Sequence, residues 1–320
     1  MNKMLRYILA IPVVAAFALS CVDEIDNSGT NEPEITFVAR LTDYSYRSVD
    51  VKSLDLADFE TEVKSLHFIV FDNAGNRVAM KAGNTSSLSA VFRSEETYDD
   101  ATVCCVANMR KSFVQDSLLT LSDLYETYYK VNYAPVEETG CVGIPVQEDG
   151  SYAIPMVGII ENLDFSAVGL EPYPVTMRRL FSKVVVNFGL YLGNDVTSSE
   201  QPFFRFSEYT VTNLPKQVRL AESDEETAYK EFHKPQTIDL ADMKLYDKEK
   251  PYTFVMYLPE SDIRPEITPE IASQSWYVNR DQRYKPVLAE GLNAACVSLI
   301  GSYLPTGDGN QMGYDLKYDI

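Results

Sequence analysis

The sequence predicts a mainly β protein made of two β-sandwich domains and one short helix. Short runs rich in valine, isoleucine and aromatic residues alternate with turn residues along most of the chain, which is typical of sandwiches of antiparallel sheets. The chain contains 21 tyrosines, and tyrosine favours strands. Its 320 residues exceed the size of about 250–300 residues at which a single hydrophobic core usually stops growing. Two domains are therefore expected.

The clearest strand pair is a predicted hairpin. Leu66, Phe68 and Val70 alternate with their neighbours and are expected on one face of a strand. The turn residues 72–76 follow, and a second apolar run begins at Arg77. An Asp-Asn-Ala-Gly-Asn turn between two apolar runs indicates a β-hairpin.

A further strand is predicted over residues 101–107, which include two adjacent cysteines. Cys104 and Cys105 should point to opposite faces of the sheet, since successive side chains alternate across a strand. We interpret them as small buried residues rather than as a disulfide or a metal site. A bridge between more distant cysteines, involving Cys141 or Cys296, stays open.

The one predicted helix begins near Thr120. Thr120 followed by Asp123 has the spacing of a capping box. The apolar residues of this segment follow helical spacing: Leu121, Leu124, Tyr125 and Tyr128.

The domain boundary is placed at residue 174, after a turn-rich region. The N-terminal domain is expected over residues 35–174 and the C-terminal domain over 175–320. The last apolar residues alternate with charged ones, which predicts a final strand: Tyr314, Leu316, Tyr318 and Ile320. This segment could be a donor strand or a terminal edge strand as it stands. Alternatively, it is a strand of a longer chain that has been truncated here.

Residues 1–20 have the anatomy of a bacterial signal peptide. Lys3 and Arg6 precede an apolar run over residues 8–19, which is too short to span a bilayer. Ala18-Leu19-Ser20-Cys21 resembles the lipobox, which implies cleavage before Cys21 and acylation of its thiol with fatty acids such as palmitate. An ordinary signal peptide with an incidental cysteine is the alternative.

A polar tether is expected over residues 21–34, because this stretch cannot bury enough apolar surface to fold. Its acidic residues Asp23, Glu24 and Asp26 resemble the export signal of Bacteroidetes surface lipoproteins. That likeness implies an outer-membrane location with exposure at the cell surface. The same charges would also serve an ordinary solubilising tether.

The net charge is −19, and loss of the two basic residues of the leader would make it −19 − 2 = −21. Nucleic acid is therefore not an expected partner. His67 and His233 are the only histidines, and neither has companions spaced for a metal site or a catalytic triad. We expect no cofactor and no enzymatic activity, although paired acids assembled from distant strands would leave no local motif.

Four features, met in order, resemble the fimbrillin superfamily of Bacteroidetes, including its anchor and minor-subunit lipoproteins. They are the Cys21 leader, Leu66-His67-Phe68-Ile69-Val70-Phe71-Asp72-Asn73-Ala74-Gly75, the segment 175–186 and Tyr257-Leu258-Pro259-Glu260. The resemblance covers most of the mature chain. It implies two transthyretin-like β-sandwich domains in tandem, with the second beginning near Val175.

The resemblance also implies a function. Members of the superfamily are fimbrial subunits that act in adhesion and biofilm formation, and their stalk subunits assemble by donor-strand exchange. The implied partners are other fimbrial subunits, the outer membrane through a lipid anchor, and a host or bacterial surface ligand. Arg40 and Arg47 are candidate processing sites near the first mature strand, or else ordinary surface arginines.

A second function from another class stays open. Trp276 and Tyr277 are adjacent aromatic residues that could stack on sugars, as in a glycan-binding lipoprotein of a polysaccharide uptake system. Packing within a sheet is the alternative for both residues.

Overall fold

The computed structural model describes residues 34–41, 57–93, 100–165, 171–188, 203–221, 229, 231–240, 252–259, 295–304 and 314–319. These residues form a mainly β structure, as predicted. In this described part of the chain, no helix is both long and apolar enough to cross a membrane.

The described residues form three short α-helices, one 3-10 helix (Ala57–Glu60) and seventeen strands; the α-helices and strands are numbered here in chain order. The helices are α1 (Lys111–Ser117), α2 (Leu121–Glu126) and α3 (Val136–Thr139). The strands are β1 (Glu34–Leu41), β2 (Leu66–Phe71), β3 (Arg77–Ala82), β4 (Ser89–Arg93), β5 (Ala101–Ala107), β6 (Tyr128–Lys130), β7 (Asn132–Tyr133), β8 (Pro145–Val146), β9 (Met156–Leu163), β10 (Tyr173–Arg179), β11 (Phe181–Phe188), β12 (Phe203–Thr212), β13 (Gln217–Arg219), β14 (Gln236–Asp239), β15 (Tyr252–Pro259), β16 (Cys296–Leu304) and β17 (Tyr314–Asp319).

The largest sheet has seven strands in the order β3-β2-β5-β9-β10-β1-β4. The predicted hairpin is confirmed: β2 and β3 are antiparallel, and the Asp72 carboxylate accepts hydrogen bonds from the amides of Ala74 and Asn76 in the turn. The sheet curls until its two edge strands meet. There, Lys81 Nζ of β3 donates to the carbonyl oxygen of Val91 in β4 at 2.7 Å.

Each face of this sheet packs against its own hydrophobic core. The first core lies inside the curl and includes Phe37 and Cys105. The second core lies on the opposite face and includes Cys104 and Leu124. Cys104 and Cys105 therefore point to opposite faces and are buried free thiols, as predicted.

The chain between β5 and β9 covers the second core. Helix α2 lies where it was predicted, and its capping box is formed: the Thr120 side chain accepts from the Asp123 amide, and the Asp123 side chain accepts from the Thr120 amide. Helices α1 and α3 were not predicted. The expectation that Tyr128 continues the helix is wrong, since the backbone becomes extended at Thr127 and Tyr128 pairs with Arg219 in β13.

The second half of the chain contributes a β11-β15 pair and a four-stranded sheet in the order β14-β12-β16-β17. These strands enclose a third core that includes Tyr209, Leu214 and Met256. Residues 175–179, predicted to open the second domain, are hydrogen-bonded within β10 of the seven-stranded sheet. The chain leaves that sheet at Leu180, whose amide donates to the carbonyl oxygen of Pro155.

A buried polar cluster joins the segment before β2 to the second half. Glu60 is 6% exposed, and its Oε1 atom accepts from Lys183 Nζ at 2.6 Å and from the Tyr257 hydroxyl at 2.5 Å. Arg179 Nε donates to the Glu60 carbonyl oxygen. The Glu60 carboxylate is therefore buried with a cation and a hydroxyl donor beside it, as a buried charge requires.

Candidate functional site

The first strand of the described chain, β1, is the candidate functional element. It runs parallel to β10, with Phe37 opposite Tyr173, and antiparallel to β4, with Glu34 opposite Arg93. Because β1 is the first described strand, it can leave the sheet without unthreading another described segment. Its removal would separate β10 from β4.

The side chains of β1 alternate strictly between the first core and the outer face. Ile35, Phe37 and Ala39 point inward and are 2%, 0% and 3% exposed. Between them, Thr36 and Val38 are half-buried on the outer face. This alternation is the pattern that an inserted strand needs, because one face supplies apolar side chains and the backbone supplies hydrogen bonds.

Phe37 is at the centre of an aromatic cluster. Its ring centroid lies 5.7 Å from that of Phe92, 6.0 Å from Phe165, 6.1 Å from Tyr173 and 6.3 Å from Phe68. Each of these separations is within the range at which aromatic rings attract each other. The groove that β1 fills is thus an apolar slot whose deepest pocket holds one phenylalanine.

Backbone pairing fixes β1 along its length. Apart from the ladders to β10 and β4, the Ala39 amide donates to the carbonyl oxygen of Leu88 at 2.7 Å. Among the described strands, β4 pairs only with β1. Loss of β1 would therefore leave β4 without a partner strand among the described residues, with backbone bonds only from Ser89 to Asn84 at its beginning.

Of the two candidate processing sites, only Arg40 lies within the described residues. Its side chain is exposed, but its backbone is paired with Thr176 of β10, and the next residue, Leu41, is paired with Met177. The peptide bond after Arg40 is therefore inside a sheet ladder, where a protease that binds extended substrates cannot reach it. Arg47 lies outside the described residues.

The predicted final strand is present as β17, which forms the edge of the four-stranded sheet. It pairs antiparallel with β16, and Leu299 lies opposite Tyr318. In this structure it is thus an edge strand of its own sheet, and a donor role for it stays a prediction. Ile320 lies outside the described residues.

The remaining predicted site residues cannot be placed. The lipidation, export and sugar-stacking candidates lie outside the described residues: Cys21, Asp23, Glu24, Asp26, Trp276 and Tyr277. Sequence reasoning missed the position of β1 between β10 and β4, because pairing between strands that are far apart in sequence, such as Phe37 with Tyr173, leaves no local pattern. The alternation of Ile35, Phe37 and Ala39 was the one available signal.

Neither a protein-family model nor a curated protein sequence matches this chain. Solved structures do match it. A candidate cell adhesion protein from Parabacteroides distasonis aligns with a TM-score of 0.52 and 12% identity, covering 90% of this chain and 79% of that chain. A fimbrilin from Porphyromonas gingivalis aligns with a TM-score of 0.46 and 10% identity, covering 90% of this chain and 80% of that chain.

A third structure, a fimbrial assembly protein from Parabacteroides distasonis, aligns with a TM-score of 0.42 and 15% identity, covering 90% of this chain and 85% of that chain. The structural neighbours are thus Bacteroidetes cell-adhesion and fimbrial proteins, as the resemblance to the fimbrillin superfamily predicted. The likeness to the cell adhesion protein, with a TM-score of 0.52 at 12% identity, establishes a shared fold alone.

Proposed function

We propose that this chain, which has the fold of Bacteroidetes cell-adhesion and fimbrial proteins, is a cell-surface lipoprotein that serves as a subunit or anchor of a fimbria. It acts in adhesion and biofilm formation, and it assembles with other subunits by strand insertion. The observation that carries the proposal is the position of β1: the first described strand fills an apolar groove between two strands that do not otherwise pair with each other.

Strand insertion uses the groove in a simple way. Once β1 is released, β10 and β4 expose unpaired backbone groups, and the first core loses three buried side chains, those of Ile35, Phe37 and Ala39. An extended segment of another subunit with apolar residues at alternate positions would restore both the hydrogen bonds and the packing. The driving force is the burial of apolar surface, which contributes about 25 cal/mol per Å².

Release of β1 requires a cut after its last residue. Cleavage after Arg47 would free the whole of β1 from the rest of the chain, whereas cleavage after Arg40 would leave Leu41 behind and would have to occur within a paired strand. We therefore propose that a subunit that undergoes proteolytic processing is cleaved after Arg47. A subunit that keeps its β1 and a lipid on Cys21 would act as the anchor.

The domain and envelope assignments belong to the same proposal. Two domains follow a lipidated tether over residues 21–34, and because the boundary predicted at residue 174 falls within β10, we place the division after Leu180. Asp23, Glu24 and Asp26 direct the protein to the outer face of the outer membrane. The negative net charge, which is −19 for the full chain and more negative without the leader, is compatible with a protein that stays soluble beyond the membrane surface.

Intact-mass measurement and N-terminal sequencing of the protein from native envelopes test this function. An acylated N-terminus at Cys21 is expected for an anchor, and a free N-terminus immediately after Arg47 is expected for a polymerising subunit. An unmodified N-terminus at any other residue would contradict both forms of the proposal. Cys21→Ala is the matched variant, and it should leave the body folded but release it from membranes.

A further inference from the structure

A cavity of about 390 Å³ opens on the second-core face of the seven-stranded sheet, opposite the face on which Ile35, Phe37 and Ala39 of β1 are buried. Its volume is within the range of about 300–1,000 Å³ that is usual for small-molecule sites. Val157 and Ile159 of β9 and Thr176 of β10 form its floor. Tyr125 of α2 and the residue pair Leu220-Ala221 form its walls.

The walls of this cavity are held in place by hydrogen bonds to backbone carbonyl groups. Arg178 Nη2, which also lines the cavity, donates to the carbonyl oxygen of Leu220 at 3.4 Å. Arg219 Nε donates to the carbonyl oxygen of Tyr125 at 2.8 Å. The helix and the segment after β13 are therefore fixed relative to the sheet, and the cavity is already formed before a ligand arrives.

Two polar side chains at one end are joined to each other. The Tyr125 hydroxyl donates to Glu161 Oε1 at 2.9 Å. Burial raises the pKa of Tyr125 to about 12, with the hydrogen bond to Glu161 as a further cause, so its hydroxyl keeps its proton at neutral pH. The carboxylate of Glu161 is exposed and can accept further hydrogen bonds from a ligand.

The polar groups are spread along the cavity. Arg178 is paired with Val157, and Glu161 lies four residues further along β9, at a distance of about 13 Å for an extended strand. Between these ends, Ile159 and the half-buried side chain of Tyr125 provide apolar surface. The cavity thus has hydrogen-bonding groups at both ends, and between them the apolar surface of Ile159 and Tyr125 lies beside the Thr176 hydroxyl.

We infer that this cavity binds an uncharged saccharide. Sugar hydroxyls both donate and accept, which fits a carboxylate acceptor at one end and a guanidinium donor at the other. The C–H faces of sugar rings are apolar and fit the Tyr125 ring and Ile159. The cavity lies on the opposite face of the sheet from the Phe37 cluster, and its saccharide role is tested apart from the fimbrial role, although the floor residue Thr176 pairs with Arg40 of β1.

The surrounding charge favours a neutral ligand over an acidic one. A neighbouring depression is lined by Asp72, Asp100 and Glu161. Together with the net charge of −19, these carboxylates create a negative potential that opposes an anion.

The test is a binding measurement on the full mature chain. Saturation-transfer NMR with cellotriose, maltotriose and mannotriose as neutral probes, and a trigalacturonate as the acidic one, reports which class binds. Glu161→Gln should weaken binding of a neutral probe about tenfold, because it removes a charge-assisted hydrogen bond. Glu126→Gln is the matched control on the exposed side of α2 and should leave binding unchanged.

Thr176→Val serves as a second variant, since it removes one exposed hydroxyl from the cavity floor and leaves the Glu161 contact intact. It should also weaken binding, without lowering the melting temperature. The proposal is overturned if none of the neutral probes binds, if only the acidic probe binds, or if Glu161→Gln and Thr176→Val bind as the parent does.

Discussion

Phe37 carries more of the packing of β1 than any other residue of that strand. It is fully buried, and four aromatic rings surround it. Ile35 and Ala39 on the same face are smaller, so a strand that replaces β1 needs a large apolar side chain at the position of Phe37. This requirement sets the register of any inserted segment.

Replacement of Phe37 by alanine should lower the free energy of unfolding by about 3–5 kcal/mol, because the neighbouring rings cannot fully close the cavity. Urea denaturation of the mature protein measures this change. Val38→Ala is the control, since Val38 is half-buried on the other face of the same strand and should cost about 1 kcal/mol or less. Equal losses in the two variants would argue against Phe37 as the anchor of β1.

The buried position of His67 predicts that the stability of the protein depends on pH. It is 4% exposed, and its Nδ1 atom has no hydrogen-bond partner among the described residues. Burial, and secondarily the charge of Lys111, lower its pKa below the usual value. The unfolded chain therefore takes up the proton first as the pH falls.

It follows that His67 should reduce stability as the pH falls below about 6.5, the ordinary pKa of histidine. Chemical denaturation at pH 7.5 and pH 5.5 measures the difference, with His67→Leu as the variant that cannot titrate. The parent should lose more stability than the variant between these two values. Parallel pH profiles would show that His67 is not responsible.

Residue-level predictions succeeded where the signal was local. The opposite orientation of Cys104 and Cys105 followed from the alternation of a strand and is confirmed. The cluster of Glu60, Lys183 and Tyr257 could not be predicted, because its members are 123 and 197 residues apart in sequence. Only the fold brings them together.

Among the elements, helix α2 has the most complete local determinants. Asp123 Oδ2 accepts from the amides of Leu119 at 3.0 Å and Thr120 at 2.7 Å, while the Asp123 amide donates to the Thr120 hydroxyl. These hydrogen bonds provide acceptors for backbone amides at the start of the helix, which have no acceptor within the helix itself. The Thr-x-x-Asp spacing was therefore enough to locate the start of the helix.

Thr120→Ala should cost about 1 kcal/mol of stability, because the Asp123 amide loses its side-chain acceptor. Thermal unfolding monitored by circular dichroism measures this. Ser122→Ala is the control on the same helix, since its hydroxyl donates only to the exposed side chain of Glu126, and it should have a smaller effect. If both substitutions cost the same, the capping box would not determine the stability of this helix.

The end of α2 shows what helical spacing misses. Tyr128 falls on the apolar face of an extended α2, but the strand pairing between Tyr128 and Arg219 replaces the helix at that position. The partner strand β13 lies about ninety positions away. Hydrogen bonds to a distant strand therefore determine the backbone conformation at Tyr128, and helix propensity and spacing within the segment do not predict it.

At the scale of the whole molecule, the chain between α2 and β9 ties the two halves together. β6 pairs with β13, the Tyr133 hydroxyl donates to the Pro215 carbonyl oxygen, and the Tyr257 amide donates to the Val142 carbonyl oxygen. The Gly143 amide donates to Gln236 Oε1 at 2.8 Å. A substitution that distorts this segment should therefore also weaken hydrogen bonds of strands in the second half.

Gly143→Ala should destabilise the molecule through this segment. Gly143 has φ +76°, and an added Cβ would overlap the carbonyl oxygen of Tyr257. Gly140→Ala is the matched control, because Gly140 has φ +65° but open space around an added Cβ. The control should cost about 1–2 kcal/mol from backbone strain alone, and Gly143→Ala should cost more.

Urea denaturation measures both variants, and hydrogen exchange at the Tyr257 amide reports whether its bond to Val142 is lost. Faster exchange at Tyr257 is expected in Gly143→Ala only. Equal losses of stability and equal exchange rates in the two variants would mean that the contact with Tyr257 does not link the halves.

The sequence was sufficient for the fold class and for local elements such as the β2-β3 hairpin. It was not sufficient for the topology. The parallel pairing of β1 with β10 and the pairing of β6 with β13 both join segments that are distant in sequence. The residues of a strand do not by themselves specify which strand lies beside it. The candidate groove therefore became visible only in three dimensions.

The most direct test of the central claim is an exchange experiment on β1 itself. A protease site inserted after Arg47 allows β1 to be cut from the folded mature chain, and a fluorescent peptide of residues 33–42 then competes for the groove. The nicked protein should take up this peptide, whereas the uncut protein and a peptide carrying Phe37→Asp should show no uptake. If the peptide fails to enter the nicked protein, or enters nicked and uncut protein equally, β1 is not a replaceable strand.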